Sequence, residues 1–225
     1  MEVGQGRWTD AEGWVWSGAG LPTTEAQLVL VFGATDRLRD PARLEEVSAI
    51  YPRALVFGCS TAGEIAGTQI FDDSIVATGL RFERTDIASA STNIADEADS
   101  YAAGRRLGQQ LPHEHLSHVL VLSDGLKVNG SQLVLGLTSS LPQKVTVTGG
   151  LAGDGSRFQE TLVICGSRAQ SRTAAAVGFY GPRIRVGCAS LGGWDPFGPE
   201  RVITSASGNV LFELDGQSAL TLYKQ

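Results

Sequence analysis

The sequence predicts an α/β fold: a mixed sheet with a βαβ unit, antiparallel hairpins and flanking helices. Three observations predict it. Short apolar runs alternate with amphipathic segments as far as Gly150, two strand-like runs between Ser74 and Asn93 are separated by a turn-length gap, and the chain from Thr161 onward is rich in strand-like runs. The 225 residues are 42% hydrophobic, which is enough for an ordinary core.

The predicted βαβ unit lies between Leu28 and Gly58. The apolar run 28–33 is typical of a strand covered on both faces. Asp40 and Pro41 are the preferred N-cap and first residue of a helix, so they predict a helix through Tyr51. A proline then ends the helix and the apolar run 54–58 follows, so the two strands are expected to be parallel.

The middle of the chain predicts a hairpin and then a return to alternation. Strand-like runs at 74–82 and 87–93 are separated by four polar residues, a spacing typical of a hairpin. Residues 95–111 form an amphipathic pattern bounded by a proline, which predicts a helix. The apolar run 119–122 then predicts another buried strand.

The last part of the sequence is mostly strands. A helix at 129–141 and a strand at 144–148 with a glycine exit complete the alternation. The later predicted strands are 161–165, 174–180, 184–190 and 200–213, and a short helix follows at 218–223. We expect residues 1–216 to form one ligand-binding domain and residues 217–225 to begin a second, truncated portion.

Composition excludes several classes of function. A net charge of −6 and the lack of any Lys/Arg run argue against nucleic-acid binding. No apolar stretch approaches the roughly 20 residues of a membrane span, and the N-terminus has no signal-peptide pattern, so a cytoplasmic protein without membrane contact is expected. Cys59, Cys165 and Cys188 lack CxxC spacing, so neither a disulfide framework nor a cysteine zinc site is indicated.

A glycine-rich segment directly after the second predicted strand is the first candidate site. Small hydroxyl side chains between glycines form a loop whose amides can receive an anion or carboxylate, although the Gly-Lys-Ser/Thr ending of a P-loop is missing. The alternative is a tight structural turn. The carboxylate in this loop can hold a ligand ammonium or cap the loop. The candidate residues are Gly58, Cys59, Ser60, Thr61, Gly63 and Glu64.

Two further strand exits carry glycine and aspartate. Ligands bind outside the carboxyl ends of strands in open α/β sheets, so the three loops are expected to line one pocket for a small polar molecule. Taken singly, each Asp-Gly pair also fits an ordinary turn. The second and third loops contribute Asp124, Gly125, Gly149, Gly150, Gly153 and Asp154.

Haem binding and hydrolase or acyl-transfer catalysis are the two alternatives to small-molecule binding. His113, His115 and His118 form the only histidine cluster; His118, beside a predicted strand, is the better candidate haem ligand, with a solvated connection or a core-edge histidine as the alternative. Cys59 or Ser60 can be considered as a nucleophile of a small hydrolase or acyl-transfer enzyme. However, the Gly-x-Ser-x-Gly spacing and a partnering histidine are missing, which favours a protein that is not an enzyme.

Taken together, these motifs resemble the FIST family. The resemblance covers nearly the whole chain and rests on 28–34, 55–65, 123–125, 149–155, 158–163 and 202–222. It implies a sensory domain of a bacterial signal-transduction protein that binds small molecules such as amino acids. Its implied partners are a histidine kinase, a cyclase or another signalling protein. Some members are haem-binding nitric oxide sensors, so haem is a possible cofactor by resemblance, with no residue-level ligand implied.

Overall fold

Two β-sheets packed face to face, with helices on their outer faces, form the fold of the first 186 residues in this computed structural model. The structure describes residues 1–17, 25–189, 195 and 198–224. It divides into two compact units, Met1–Val186 and Gly187–Gln225.

The elements of the first unit follow the chain in this order. The first half contains β1 (Glu2–Thr9), β2 (Gly13–Ser17), β3 (Leu28–Gly33), α1 (Thr35–Leu38), α2 (Pro41–Ile50), β4 (Leu55–Ser60), β5 (Glu64–Ala66), β6 (Gln69–Phe71) and β7 (Ile75–Arg81). The second half contains β8 (Asp86–Asn93), a 3-10 turn (Glu97–Asp99), α3 (Ser100–Gln110), β9 (Leu116–Ser123), α4 (Gly130–Ser139), β10 (Thr146–Leu151), β11 (Val163–Cys165), β12 (Ala169–Gln170) and β13 (Thr173–Tyr180).

The strands form a larger and a smaller sheet. The larger sheet has seven strands in the order β12-β11-β4-β3-β7-β1-β2, and the smaller has four in the order β10-β9-β13-β8. The strands β5 and β6 make a separate hairpin. The larger and the smaller sheet each contain one parallel pair among antiparallel ones: β3 with β4 in the larger sheet and β9 with β10 in the smaller. The predicted α/β class with a mixed sheet is therefore confirmed.

Three apolar clusters define the layers. Phe57 of the larger sheet and Leu122 and Val177 of the smaller sheet belong to one cluster, which fills the space between the sheets. Leu44 of α2 packs on the outer face of the larger sheet. Leu107 of α3, with α4 beside it, packs on the outer face of the smaller sheet. The unit therefore has helix, sheet, sheet and helix layers.

The βαβ unit forms as the local signals predict. Asp40 accepts a hydrogen bond from the Ala42 amide at 3.0 Å and Pro41 is the first residue of α2. After the helix, β4 aligns parallel to β3 with Leu28 opposite Leu55 and Gly33 opposite Ser60. The carboxyl ends of these two strands consequently lie side by side.

The predicted hairpin between residues 74 and 93 is wrong. Both strands exist as β7 and β8, but β7 lies between β3 and β1 in the larger sheet, whereas β8 pairs with β13 in the smaller one. Both edges of β7 are occupied, so no edge remains for β8. Residues 82–85 carry the chain from one sheet to the other.

Three other predicted strands also need correction. Gly149 and Gly150 do not leave the strand but continue it, because β10 runs on to Leu151 beside β9. Residues 184–189 are not a strand, and residue 190 lies outside the described residues. The predicted strand 200–213 is a hairpin of the second unit, in which β14 (Ile203–Ser207) and β15 (Val210–Leu214) turn at Gly208, whose φ is +57°.

The second unit is small. The strands β14, β15 and β16 (Gln217–Ser218) form one sheet, and α5 (Ala219–Tyr223) follows with Ser218 as its N-cap. The predicted domain boundary at residue 216 stays a prediction. Among the described residues, no helix is both long enough and apolar enough to cross a membrane.

Candidate functional site

Backbone hydrogen bonds join the exits of β3 and β4 to the exit of β10 in the other sheet. The Thr61 amide donates to the Gly33 carbonyl at 3.0 Å, and the Gly153 amide donates to the Ser60 carbonyl at 2.9 Å. The Ser60 hydroxyl accepts from the Leu162 amide at 2.9 Å. The first and third predicted loops are therefore neighbours, and the exit of β3 lies beside them.

A cavity of about 300 Å³ opens where these exits meet, and its wall is formed by residues 34–36, 61–64, 72–73 and 154–157. We refer to it as the Glu64 cavity. Of the residues predicted from the sequence, Thr61, Gly63, Glu64 and Asp154 line it. It combines segments from distant parts of the chain, from residue 34 to residue 157, because strand exits from both sheets contribute.

Glu64 is a buried carboxylate without a cationic partner. Only 1% of the residue is exposed. Its Oε1 accepts a hydrogen bond from the Thr61 hydroxyl at 2.8 Å, and its Oε2 accepts from the Ser74 hydroxyl at 2.8 Å and the Ser74 amide at 3.2 Å. No Lys or Arg among the described residues lies within 4.0 Å of it. A buried negative charge that is stabilised only by neutral hydrogen-bond donors favours the binding of a cation beside it.

The other carboxylates of the Glu64 cavity differ in how far they are already paired. Asp36 forms ion pairs with Arg39 and Arg157, and Asp73 forms one with Arg37 at 2.6 Å. Asp72 has neither an ion pair nor a side-chain hydrogen bond among the described residues. Asp72 and Glu64 thus have no ion pair among the described residues and can accept a positively charged ligand group.

The Asp154 side chain stabilises the loop in which it lies. Its Oδ1 accepts from the Phe158 amide at 3.1 Å and its Oδ2 accepts from the Gln159 amide at 2.7 Å and the Glu160 amide at 3.1 Å. Partial burial raises the pKa of this carboxyl, but these amides and Arg157 outweigh burial, so the net pKa is lowered. The ionised Asp154 side chain therefore caps the 154–160 loop, and the residue also lines the cavity.

Thr35 is the most informative neutral residue of the cavity wall. It is 1% exposed, and its hydroxyl has no hydrogen-bond partner in the part of the chain that the structure describes. A buried hydroxyl without a partner costs about 1–3 kcal/mol, so natural proteins rarely keep one without a reason. A bound molecule with a donor or acceptor would satisfy it.

The remaining predicted site residues lie outside the Glu64 cavity. Gly58 lies within β4, where a Cβ would stand 1.7 Å from the Val31 carbonyl oxygen, so strand contact requires this glycine. Cys59 is buried between the sheets. Gly149 and Gly150 line a separate cavity of about 220 Å³ beside α4. Gly153 contacts Ala62 at the edge of the loop.

Asp124 and Gly125 also have structural roles. Asp124 Oδ1 accepts from the amides of Leu126 and Lys127, at 2.8 and 2.7 Å, and Oδ2 accepts from the Arg172 amide at 3.1 Å. A Cβ on Gly125 would stand 2.0 Å from the Ala152 carbonyl oxygen. The second loop thus packs against the third and does not line the Glu64 cavity. Thr61, Gly63 and Glu64 of the first loop and Asp154 of the third do line it, and ligand binding there stays a prediction.

Several residues of the cavity wall are not predicted from the sequence, and among them are Thr35, Asp36, Asp72 and Arg157. The rule that found the other loops would have found the first two, because they follow the buried strand β3 directly. Asp72 lies on the short connection before β7, and Arg157 lies beyond the last residue selected. No sequence motif identifies Asp72 or Arg157 as a site residue.

His118 does not fit a haem iron in this structure. The residue is 3% exposed. Its Nδ1 lies 2.7 Å from the Thr146 hydroxyl and its Nε2 lies 2.9 Å from the Thr148 hydroxyl, so both ring nitrogens are engaged. Burial lowers the pKa of the imidazole. Among the described residues, no three His, Cys, Asp or Glu side chains are grouped to hold a metal ion.

Cys59 and Ser60 are poorly placed for nucleophilic catalysis. Burial raises the pKa of the Cys59 thiol to about 12, and the Ser60 hydroxyl is engaged by the Leu162 amide. All three histidines of the chain lie between residues 113 and 118, at the start of β9 in the other sheet. Neither candidate nucleophile therefore has a histidine beside it to act as a general base.

Thiol reactivity tests this assignment. We expect a disulfide reagent to modify Cys188, which is exposed, rapidly in the native protein, and to modify Cys59 only after unfolding. A time course of thiol titration measures both, and Cys188→Ser should abolish the fast phase. A fast phase that persists in Cys188→Ser but disappears in Cys59→Ser would contradict the burial of Cys59.

The family model described as FIST N domain matches residues 27–217, which is well over half of the chain. The match includes all four segments of the Glu64 cavity. A search of curated proteins found no match.

Proposed function

The chain belongs to the FIST family, whose domains are sensory domains of signal-transduction proteins, and on that premise we propose that it senses an amino-acid-like molecule in the Glu64 cavity. The proposal rests on two features of one polar cavity: the buried Glu64 carboxylate has no cationic partner among the described residues, and the buried Thr35 hydroxyl has no hydrogen-bond partner among them.

A ligand ammonium is the group that Glu64 and Asp72 suit. Glu64 has three neutral donors and no cation, and Asp72 is unpaired among the described residues. An ammonium between two carboxylates gains charge-assisted hydrogen bonds, which are roughly twice as strong as neutral ones. Its positive charge also offsets the acidic character of the wall, which contains four aspartates and one glutamate against one arginine.

Arg157 provides the complementary group for a ligand carboxylate. Its Nη1 is paired with Asp36 and its Nε donates to the Asp154 carbonyl at 3.1 Å. The Nη2 group has no partner among the described residues. A guanidinium held in place by two bonds with a free third donor is preorganised for a carboxylate. Ammonium and carboxylate together define an amino acid.

The size of the Glu64 cavity sets an upper limit on the ligand. At about 300 Å³ it is at the small end of ligand pockets, which range from about 300 to 1,000 Å³. A free amino acid or a metabolite of similar size fits, whereas a dinucleotide does not.

The proposal is for a binding protein and not an enzyme. The engagement of Ser60, the burial of Cys59 and the engagement of both His118 nitrogens support it over a hydrolase or a haem sensor. We further propose that the regulated partner is a histidine kinase, a cyclase or another signalling protein in the cytoplasm, as the resemblance implies.

A ligand panel tests the proposal directly. Free amino acids, the corresponding amines and the corresponding carboxylic acids are screened for an increase in the melting temperature, because a ligand that binds only the native state stabilises it. We expect some amino acids to raise the melting temperature more than either matched analogue does. If no amino acid does so at saturating concentration, the proposal is wrong.

Thr35→Val gives a prediction with opposite signs in the two states. Without ligand, removal of an unsatisfied buried hydroxyl should raise the free energy of unfolding by about 1 kcal/mol. With ligand, the affinity should fall roughly tenfold, because the hydrogen bond to the ligand is lost. Thermal denaturation with and without the best amino acid measures both effects.

Thr173→Val is the matched control for this prediction. Thr173 is also buried, but its hydroxyl donates to the Ser171 carbonyl at 3.0 Å. The same substitution should therefore destabilise the ligand-free protein and leave the ligand response unchanged. Equal stability changes for the two variants would show that the Thr35 hydroxyl is satisfied in solution.

A further inference from the structure

The strand β10 forms an edge of the smaller sheet and lacks the usual protection of such edges. It pairs with β9 on one side from Thr146 to Leu151, and no described strand pairs with its other side. Natural edge strands are blunted by charges, prolines or bulges. The six residues of β10 contain no charged residue and no proline, and their register with β9 has no bulge.

The opposite edge of the same sheet is protected. There β8 begins at a charged residue, Asp86, and Arg106 of α3 lies over its far end. The Arg106 guanidinium donates to the Thr92 hydroxyl at 2.9 Å and to the Asn93 carbonyl at 3.0 Å. The two edges of one sheet therefore differ in the feature that prevents strand addition.

Apolar surface accompanies the free edge of β10. Leu151 is 52% exposed and Val134 of α4 is 42% exposed, and both line the cavity of about 220 Å³ between β10 and α4. The surrounding sequence is nearly uncharged: between Lys127 and Asp154 the only charged residue is Lys144, in a chain that is 19% charged. Free backbone groups, exposed apolar side chains and neutrality coincide at this edge.

We propose that β10 pairs antiparallel with β10 of a second copy of this chain, which joins two smaller sheets into one continuous sheet. An antiparallel pair of identical strands has twofold symmetry, so an edge strand is complementary to itself. In such a pair each segment faces its own copy, and a charged segment would repel itself. The chain carries a net charge of −6, so two copies repel each other least where the surface is neutral.

Gly150→Glu tests the pairing with little risk to the fold. A Cβ on Gly150 would have no atom within 4 Å, whereas a Cβ on Gly149 would meet the Val121 carbonyl oxygen at 1.8 Å. Both copies would carry the new carboxylate in the same short strand pair, so the two negative charges would repel each other. We expect it to raise the dimer dissociation constant by on the order of tenfold or more. Leu151→Glu is a second variant with the same expected effect.

Gly187→Glu is the matched control, since a Cβ there also meets no atom within 4 Å and the change of charge is identical. The mass of the 225-residue chain is measured by sedimentation over a dilution series, with circular dichroism to confirm folding. We expect the unsubstituted chain and Gly187→Glu to have twice the mass of one chain at high concentration, and the two β10 variants to reach that mass only at concentrations about tenfold higher or more. A monomer at every concentration for the unsubstituted chain overturns the proposal, as does a dimer that neither β10 variant weakens.

Discussion

Gly136→Ala is expected to lower the free energy of unfolding by about 3 kcal/mol, although alanine is the better helix former by about 1 kcal/mol. The reason is the close contact between α3 and α4. A Cβ on Gly136 would stand 2.0 Å from the Tyr101 carbonyl oxygen and 3.1 Å from the Arg105 amide nitrogen, both in the backbone of α3. Backbone atoms cannot rotate away as a side chain can, so the helices must separate.

The contact is reciprocal, which makes the effect large. Gly104 of α3 lies against α4 in the same way, with its hypothetical Cβ 2.1 Å from the Leu133 carbonyl oxygen. Separation of the helices would open the cluster in which Leu107 of α3 and Leu133 and Leu137 of α4 pack beneath the smaller sheet. Lost contacts in a well-packed core add to the cost of the clash.

Gly130→Ala is the control in the same helix. Its Cβ would meet only the Leu151 side chain, at 3.6 Å, which is ordinary van der Waals contact. This variant should be neutral or slightly more stable than the unsubstituted protein. Urea denaturation of both variants measures the difference, and similar unfolding midpoints for the two would contradict the helix packing described here.

The parts of the fold that could be predicted from the sequence depend on neighbouring residues. The cap at Asp40 and the proline after it determine where α2 begins, and the apolar runs on either side determine β3 and β4. Their parallel order follows from the helix that connects them. These signals act within about 30 residues, so a single sequence contains them in full.

The wrong strand predictions concern residues whose role depends on contacts with distant parts of the chain. The spacing between β7 and β8 fits a hairpin, but β3 and β1 occupy both edges of β7. The sequence predicts that the strand ends before Gly149, whereas Gly149 lies within β10 and is required there because its backbone approaches the Val121 carbonyl. A glycine that permits close approach and a glycine that permits a turn have the same appearance in a sequence.

The candidate site shows the same division. Glu64 stood out because a carboxylate between glycines follows a buried strand, and it lines the cavity. Thr35, Asp72 and Arg157 reach that cavity from other parts of the chain. Only the pairing of the strands brings their segments together, so no local pattern identifies them as neighbours of Glu64.

Glu64→Gln is expected to reduce the affinity for the best amino acid of the panel by about 10- to 100-fold while leaving the protein folded. Glutamine has nearly the same shape, and its amide oxygen can still accept from Ser74 while its amide nitrogen donates to the Thr61 oxygen. What the substitution removes is the negative charge that would hold the ligand ammonium. Titration calorimetry with the amino acid measures the change.

The matched carboxylic acid, which lacks the ammonium, separates a lost charge from a damaged cavity. It should bind the unsubstituted protein weakly and bind Glu64→Gln with similar affinity, so that the preference for the amine group disappears in the variant alone. Glu160→Gln is the control for replacing a glutamate by glutamine. Glu160 lies in the 154–160 loop and pairs with Arg39, but it is not part of the cavity wall. That variant should keep the full preference for the amino acid. If Glu64→Gln keeps it too, the ammonium is held elsewhere and the assignment of Glu64 is wrong.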